Sequence, residues 1–325
     1  MKRRIFFSIA VALIFASFHL SEAGQAKVYR IGALFPGGPL SETIDGLRGG
    51  LGELGLEEGK QFTLAVLDTK GDAKTGEEAA RNFEREKFDV IYALTTPVIA
   101  PAKAATTNIP LVFCVGTDPV AMGLVDSFVK PGGRLTGVYY LVTDLTAKRL
   151  EILKEMLPKL SRVVTFYNPG DRVAPEAARL AREEAGRLGL KFIERHATSV
   201  EELRRVLQAL KPGEADAYFY VADASLVIGQ IQLIIDTANA KKLATMVHER
   251  SLVSKGALAS YGQNYYEIGR VSAKHVQRVL SGVQPRDLKV ETIEDVELAI
   301  NLQTAKQLGL TIPPNVLARA DKVIK

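Results

Sequence analysis

Residues 90–119 read VIYALTTPVIAPAKAATTNIPLVFCVGTDP and contain the pattern that decides the fold. Two short apolar runs, residues 90–94 and 111–115, lie on either side of an alanine-rich segment that favours a helix. A strand, a helix and a second strand in this order form a crossover unit whose strands are parallel and buried on both faces. The segment therefore predicts a parallel sheet covered by helices.

The same alternation continues in both directions from this unit. Before it, residues 28–34 and 62–67 are expected as strands, and residues 42–54 and 73–86 as helices. After it, a second set of strand and helix units extends over residues 146–280. We therefore predict an α/β fold with two similar doubly wound parallel-sheet lobes, joined by a hinge and separated by an interlobe cleft.

Two sets of units on one chain require the chain to pass from one lobe to the other. We expect the first crossing near residues 139–144 and a return near residues 261–264. These crossings divide the chain into a first lobe of residues 27–140 and about 262–288, and a second lobe of residues 141–261 and about 289–325.

The composition excludes several classes of protein. The 325 residues carry a net charge of +5, and 47% of them are hydrophobic, as in ordinary globular proteins. The single cysteine, Cys114, excludes an intrachain disulfide framework and any metal site built from several cysteines. The small net charge and the absence of a basic run after the N-terminus argue against nucleic acid as a partner.

Residues 1–23 have the features of a secretory signal peptide. Three basic residues at positions 2–4 precede an apolar run over residues 5–18, and Ser21 and Ala23 are small residues of the kind that a signal peptidase reads. The alternative is a membrane anchor, for which the run is short. No cysteine follows the run, so we expect no lipid anchor and a mature protein that is free in the periplasm.

Ligands of open parallel sheets bind beyond the carboxyl ends of the strands. In the first lobe this rule selects Thr96 and Pro97 after one buried run, and Thr117 and Asp118 after the next. A threonine hydroxyl and the free amides of a helix start suit a carboxylate, whereas the carboxylate of Asp118 suits an ammonium group. The alternative is that these side chains only cap the helix or turn that follows them.

In the second lobe the same rule selects Asn168 and Asp223, each after a predicted strand. Asp223 is a second candidate for an ammonium group, and an asparagine in this position is also a common turn residue. Tyr139, Tyr261 and Gly262 lie at the two expected crossings, next to the cleft. A tyrosine there can stack on a ligand or belong to the core with its hydroxyl satisfied.

The motifs of catalysis and metal binding are missing. Residues 50–55 match G-x-G-x-x-G by letter, but they end a predicted helix and precede a strand, which is the wrong order for a dinucleotide site. His248 and Glu249 lack the second histidine of the zinc motif H-E-x-x-H, and Cys114 lies within an apolar strand. We therefore expect no catalytic residues, no bound metal and no cofactor.

Several runs of the sequence resemble the periplasmic solute-binding proteins of ABC transporters and, within them, the tryptophan/tyrosine-type ABC substrate-binding family. The similarity covers the mature chain in order. Its most specific runs are IPLVF (109–113), TDPVAMGLV (117–125), TGV (136–138), YNP (167–169) and KGALASYG (255–262).

The resemblance implies the type I periplasmic binding protein fold, with the loops of Thr96, Asp118, Asn168 and Asp223 at the cleft. It also implies a monomeric receptor that binds a small solute, most simply an amino acid, and delivers it to ABC permease subunits by hinge closure. Two alternatives stay open: a sensory receptor for a membrane signalling protein, and an enzyme on the same scaffold.

The N-terminal pattern predicts export with loss of the signal peptide. We expect cleavage after Ala23, or after Ala26, because both positions follow small residues beyond the apolar run. Mass spectrometry of the exported protein should show a chain that begins at Gly24 or Lys27. Detection of an intact Met1 on the exported protein would contradict the prediction.

Overall fold

The computed structural model describes residues 27–325. The predicted signal peptide and both predicted cleavage sites lie outside these residues. Among the residues described, no helix has the length and apolar composition required to cross a bilayer.

The first lobe is a six-stranded parallel sheet with helices on both faces. Its strands lie in the order β11-β5-β4-β3-β1-β2. They are β1 (Tyr29–Phe35), β2 (Phe62–Asp68), β3 (Val90–Leu94), β4 (Leu111–Val115), β5 (Leu135–Tyr140) and β11 (Glu291–Ile293). The helices are α1 (Ser41–Glu53), α2 (Ala73–Arg85), α3 (Thr96–Ala105) and α9 (Tyr265–Leu280).

The second lobe is a seven-stranded sheet in the order β13-β12-β10-β9-β8-β6-β7. Its strands are β6 (Arg162–Tyr167), β7 (Lys191–His196), β8 (Ala217–Phe219), β9 (Ala244–Val247), β10 (Ala259–Gly262), β12 (Glu297–Asn301) and β13 (Lys322–Ile324). Its helices are α4 (Thr146–Met156), α5 (Ala174–Arg187), α6 (Val200–Ala209), α7 (Val227–Ala240), α8 (Ser251–Ser254), α10 (Leu302–Leu308) and α11 (Pro314–Leu317). The two doubly wound lobes confirm the predicted fold class.

The last part of the chain differs from the expected division. β11 pairs in parallel with β5, so residues up to Ile293 belong to the first sheet and the final crossing lies between Ile293 and Glu297. The expected boundary near residue 288 was therefore about five residues early. Leu288 O accepts a hydrogen bond from the Thr136 hydroxyl at 2.7 Å, which also holds this segment in the first lobe. β12 then pairs antiparallel with β10, so the second sheet is mixed at this edge.

Helices α1 and α9 approach each other closely enough for their backbones to touch. A Cβ on Gly46 would lie 1.9 Å from the Tyr266 carbonyl oxygen, and one on Gly269 would lie 1.9 Å from the Thr43 carbonyl oxygen. Only glycine fits such distances, so these residues fix α9 on the first lobe although it follows β10 of the second. The glycines that match the dinucleotide motif by letter belong to α1 and the turn after it.

The two lobes meet along one lip of the cleft. A Cβ on Gly71 of the first lobe would lie 2.1 Å from the carbonyl oxygen of Ser225 in the second, and one on Gly38 would lie 2.3 Å from that of Ile228. Both glycines have positive φ, at 78° and 63°. The lip contact is therefore one of backbone against backbone.

Candidate functional site

A cavity lies between the lobes, at the carboxyl ends of both sheets. It contains about 400 Å³ of empty space, part of which is open to solvent. The first lobe contributes the loops after β3 and β4 and the end of β5, and the second contributes the loops after β8 and β9. Four of the predicted site residues line it, namely Thr96, Pro97, Thr117 and Asp223.

Threonine hydroxyls form the wall of the first lobe. The hydroxyls of Thr96 and Thr117 lie 3.2 Å apart and share a hydrogen bond. Thr95 precedes α3 with a φ of 69°, a conformation that costs a β-branched residue on the order of 1–3 kcal/mol. Its buried Oγ1 has no hydrogen-bond partner among the described residues. This wall offers hydroxyls and the start of a ten-residue helix to a polar ligand group.

Buried aromatic rings form the opposite and inner walls. Tyr220 stacks on His248, with ring centroids 4.6 Å apart and planes at 21°. His248 Nε2 and the Tyr265 hydroxyl share a hydrogen bond of 2.6 Å, and Tyr140 packs edge-on against Tyr265. Burial holds the pKa of His248 well below its usual range, and the charge of Arg149 adds to this, so the imidazole is neutral at pH 7. All four rings line the cavity.

Asp223 is almost fully buried and organises the loop that follows β8. Its Oδ1 accepts hydrogen bonds from the backbone amides of Ser225 and Leu226, at 3.0 and 2.8 Å, so it caps the chain before α7. Its Oδ2 accepts one bond of 2.6 Å, from the backbone amide of Asn168. Burial and the neighbouring Asp171 raise the pKa of Asp223. Because a carboxylate has about four acceptor positions, Oδ2 retains capacity for a ligand donor.

Asn168 lies beside the cavity without lining it. Its side chain accepts a bond from the Gly170 amide at 2.9 Å and donates to the Ser225 hydroxyl at 3.2 Å. The Asn168 side chain therefore stabilises a turn, which was the alternative to a ligand contact. The backbone amide of Asn168 positions the Asp223 carboxylate.

Asp118 and Tyr139 do not line the cavity. The exposed Asp118 accepts bonds from the amides of Val120 and Ala121, at 2.8 and 3.2 Å, as expected of the capping alternative. The Tyr139 hydroxyl donates to Asp144 at 2.6 Å, and its ring packs against Phe128. Since neighbouring side chains of a strand point to opposite faces, Tyr140 rather than Tyr139 reaches the cavity.

Tyr261 and Gly262 also lie outside the cavity lining. They end β10, and a Cβ on Gly262 would lie 2.1 Å from the His248 carbonyl oxygen. Gly262 therefore lets the crossing strand pass close to the loop that carries His248.

Arg149 was not predicted and is completely buried next to the cavity. Its Nη2 donates to the Val142 carbonyl oxygen at 2.8 Å and to the Thr146 hydroxyl at 3.2 Å. Burial lowers the pKa of Arg149 to about 10, so the guanidinium stays charged at pH 7. The signal in the sequence is an arginine on the apolar stripe of α4, in register with Leu150 and Leu153.

Glu249 is a second buried charged side chain that sequence reasoning left without a role. Its carboxylate accepts bonds from the Ser251 hydroxyl and from the Leu252 amide. Burial raises the pKa of Glu249 to about 7, and Glu42 of the first lobe adds a smaller effect in the same direction. Its ionisation therefore takes place near neutral pH.

Comparisons with known proteins agree on one family. A model of the family described as "ABC transporter substrate binding protein" matches residues 31–324. The chain is 30% identical over 261 residues to the tyrosine-binding protein of Clostridioides difficile (strain R20291). The aligned region covers 80% of this chain and 74% of that protein.

Two solved structures have the same architecture. An ABC domain from Streptococcus pneumoniae in complex with L-Trp superposes with a TM-score of 0.82 at 24% identity, over 92% of this chain and 100% of that chain. The ligand-free, open structure of a substrate-binding protein with adhesive properties from Clostridium difficile gives a TM-score of 0.63 at 28% identity. It likewise covers 92% of this chain and 100% of that chain.

The buried Glu249 predicts a pH dependence of stability. The pKa of the Glu249 carboxyl is 4.5 in the unfolded chain and about 7 in the folded protein. Between these pH values the folded protein keeps a proton that the unfolded chain has lost. The resulting stability is present below pH 4.5 and is lost as the pH rises through 7, with a magnitude on the order of 3 kcal/mol. Glu249→Gln should therefore stabilise the protein relative to the parent at pH 8 but not at pH 4.5.

Urea unfolding at both pH values measures this difference. Glu201→Gln, which changes an exposed glutamate on α6, is the control and should show no such difference. If the stabilities of Glu249→Gln and the parent differ by the same amount at both pH values, the Glu249 carboxyl is not the source.

Proposed function

The chain belongs to the ABC transporter substrate-binding protein family, and from this premise we propose that it captures an amino acid between its lobes and delivers it to an ABC importer by hinge closure. The family is one of solute-binding receptors rather than enzymes. Its members work outside the cytoplasmic membrane. For this chain we propose a cleaved signal peptide, no lipid anchor, a monomeric state and ABC permease subunits as partners.

The observation that carries the proposal is a cavity built by both lobes at the carboxyl ends of their sheets. Neither lobe alone encloses this space, because the threonine wall belongs to one lobe and Asp223 to the other. A ligand that contacts both walls favours the arrangement in which they face each other. Such a ligand has a higher affinity for the closed arrangement than for the open one, and hinge closure requires this difference.

The lining of the cavity supports an amino acid as the ligand. Asp223 Oδ2 suits an ammonium group, and the hydroxyls of Thr96 and Thr117 suit further polar atoms. Tyr140, Tyr220 and Tyr265 provide ring surfaces for an apolar or aromatic side chain. The curated relative with tyrosine-binding activity and the relative solved with L-Trp support the same class of ligand.

The lip contact supports hinge closure. Gly71 and Gly38 touch backbone of the opposite lobe, which is the contact expected of a closed arrangement. The open, ligand-free relative superposes with a TM-score of only 0.63 although it is 28% identical. A lower score is what the proposed closure predicts, because opening changes the angle between the lobes.

An amino-acid panel tests the proposal directly. Calorimetry of the mature protein with L-tyrosine, L-tryptophan and the other L-amino acids should show one binding site per chain for at least one of them. At about 100 times its dissociation constant, that ligand should stabilise the fold by about 2.7 kcal/mol. Ribose, glucose and nucleosides serve as comparison ligands. Binding of one of these, with no response to any amino acid, would overturn the proposed ligand class.

A pair of glycine variants tests closure. Gly71→Ala adds a methyl group against the Ser225 carbonyl oxygen, whereas Gly59→Ala adds one in open space at a similar φ of 85°. Both should lose on the order of 1 kcal/mol of stability from backbone strain. Only Gly71→Ala should lose affinity for the amino acid, by about tenfold or more, because only it obstructs the lip.

Calorimetry and small-angle scattering with the amino acid bound supply the two readouts. We expect Gly71→Ala to keep a larger radius of gyration than the parent and Gly59→Ala. Equal affinities and equal radii for the two variants would argue that the lip contact has no part in binding.

A further inference from the structure

Arg149 is among the largest side chains that residues 27–325 bury completely. It extends from α4, the first helix after the chain enters the second lobe. Its Nη2 bonds to a carbonyl oxygen and a hydroxyl, while Nε and Nη1 have no hydrogen-bond partner among the described residues. A buried guanidinium with open donors is costly unless an anion meets it.

The described chain provides no such anion. Arg149 takes part in none of the ion pairs between described residues. Asp144 is the acidic residue whose charge acts on it, and that carboxylate accepts the Tyr139 hydroxyl. The guanidinium therefore keeps its positive charge without a carboxylate within ion-pair distance.

The surroundings of Arg149 belong to the cavity. Val142, whose carbonyl oxygen accepts its hydrogen bond, lines the cavity. The charge of Arg149 acts on Tyr265, Tyr220 and His248, and these three rings also line it. Arg149 is not itself among the residues that line the cavity, but Val142 and these three rings are, so its unpartnered donors lie next to the lining.

A buried negative charge lies on the same cavity. Asp223 and its neighbour Asp171 are 1% and 4% exposed, and both accept the Ser225 backbone amide. Neither makes an ion pair with a basic residue of the described chain. One cavity is therefore bordered by a buried guanidinium and by a buried pair of carboxyl groups that form no ion pair with it.

We propose that Arg149 binds the carboxylate of the ligand and thereby selects free amino acids over their amides and amines. The inference rests on the proposed function, since it assigns one end of the amino acid to Arg149 and leaves the ammonium end to Asp223. Closure brings the carboxylate into a water-poor environment, where a charge-assisted bond to a guanidinium is strong. A ligand without a carboxylate leaves the buried cation unpaired and binds weakly.

The first test uses the parent protein alone. Calorimetry compares L-tyrosine with L-tyrosinamide and tyramine, and L-tryptophan with its amide and tryptamine. For whichever amino acid binds, the acid should bind about 100-fold more tightly than its amide. Equal affinity for acid and amide would overturn the role of Arg149 without any variant.

Variants then locate the selectivity. Arg149→Gln should lose about 100-fold in affinity for the acid and retain its weak affinity for the amide, so the preference disappears. Arg149→Lys keeps a positive charge and should keep part of the preference. Arg179→Gln, an exposed arginine that pairs with glutamates on α5, is the control and should match the parent.

The outcomes separate this inference from the proposed function. If Arg149→Gln folds and weakens acid and amide equally, Arg149 only braces the structure, although amino-acid binding stands. If Arg149→Gln does not fold, a reduced acid preference in Arg149→Lys supports the guanidinium, and an unchanged preference there refutes it. If the parent binds no amino acid in the panel, the proposed function fails first.

Discussion

The close approach of α1 and α9 is the constraint on which the rest of the structure depends. Gly46 and Gly269 let the two helix backbones touch, so α9 is fixed to the first lobe although it follows a strand of the second. The chain must then cross between the lobes at β10 and cross again after β11. This path places Tyr265, the first residue of α9, in the wall between the lobes. A single helix contact thereby determines the connections and part of the site.

The cavity combines two kinds of surface with opposite requirements. Its aromatic wall excludes water, and the low dielectric that results raises the free energy of any charge left unpaired. Arg149 and Asp223 are nevertheless charged groups at its border, and the strained Thr95 faces the same space. Features that reduce stability gather around this one cavity, which is typical of a site shaped for a ligand.

Much of the fold followed from the sequence, because buried strands and amphipathic helices alternate clearly. β11 was missed since three residues of mixed polarity carry no periodic signal, and only its pairing with β5 reveals it. In the site, Thr96, Thr117 and Asp223 were predictable as residues that follow strands. Tyr140 and Arg149 were not, because their roles depend on which face of a strand or helix meets the other lobe. The Asp118 carboxylate caps the turn that follows it, which is the simpler of the two interpretations of this residue.

Ser225 connects the lip to the interior of the cavity. Its carbonyl oxygen touches Gly71 of the other lobe, while its amide binds the carboxylates of Asp171 and Asp223. In the proposed closed state, an enclosed molecule leaves only after this backbone contact separates. Residence time would then be governed by the frequency of lobe opening, and the contacts inside the cavity would act on it through the stability of the closed state. A receptor built in this way can hold its cargo for long periods with few direct contacts, provided that its docking partner lowers the barrier to opening.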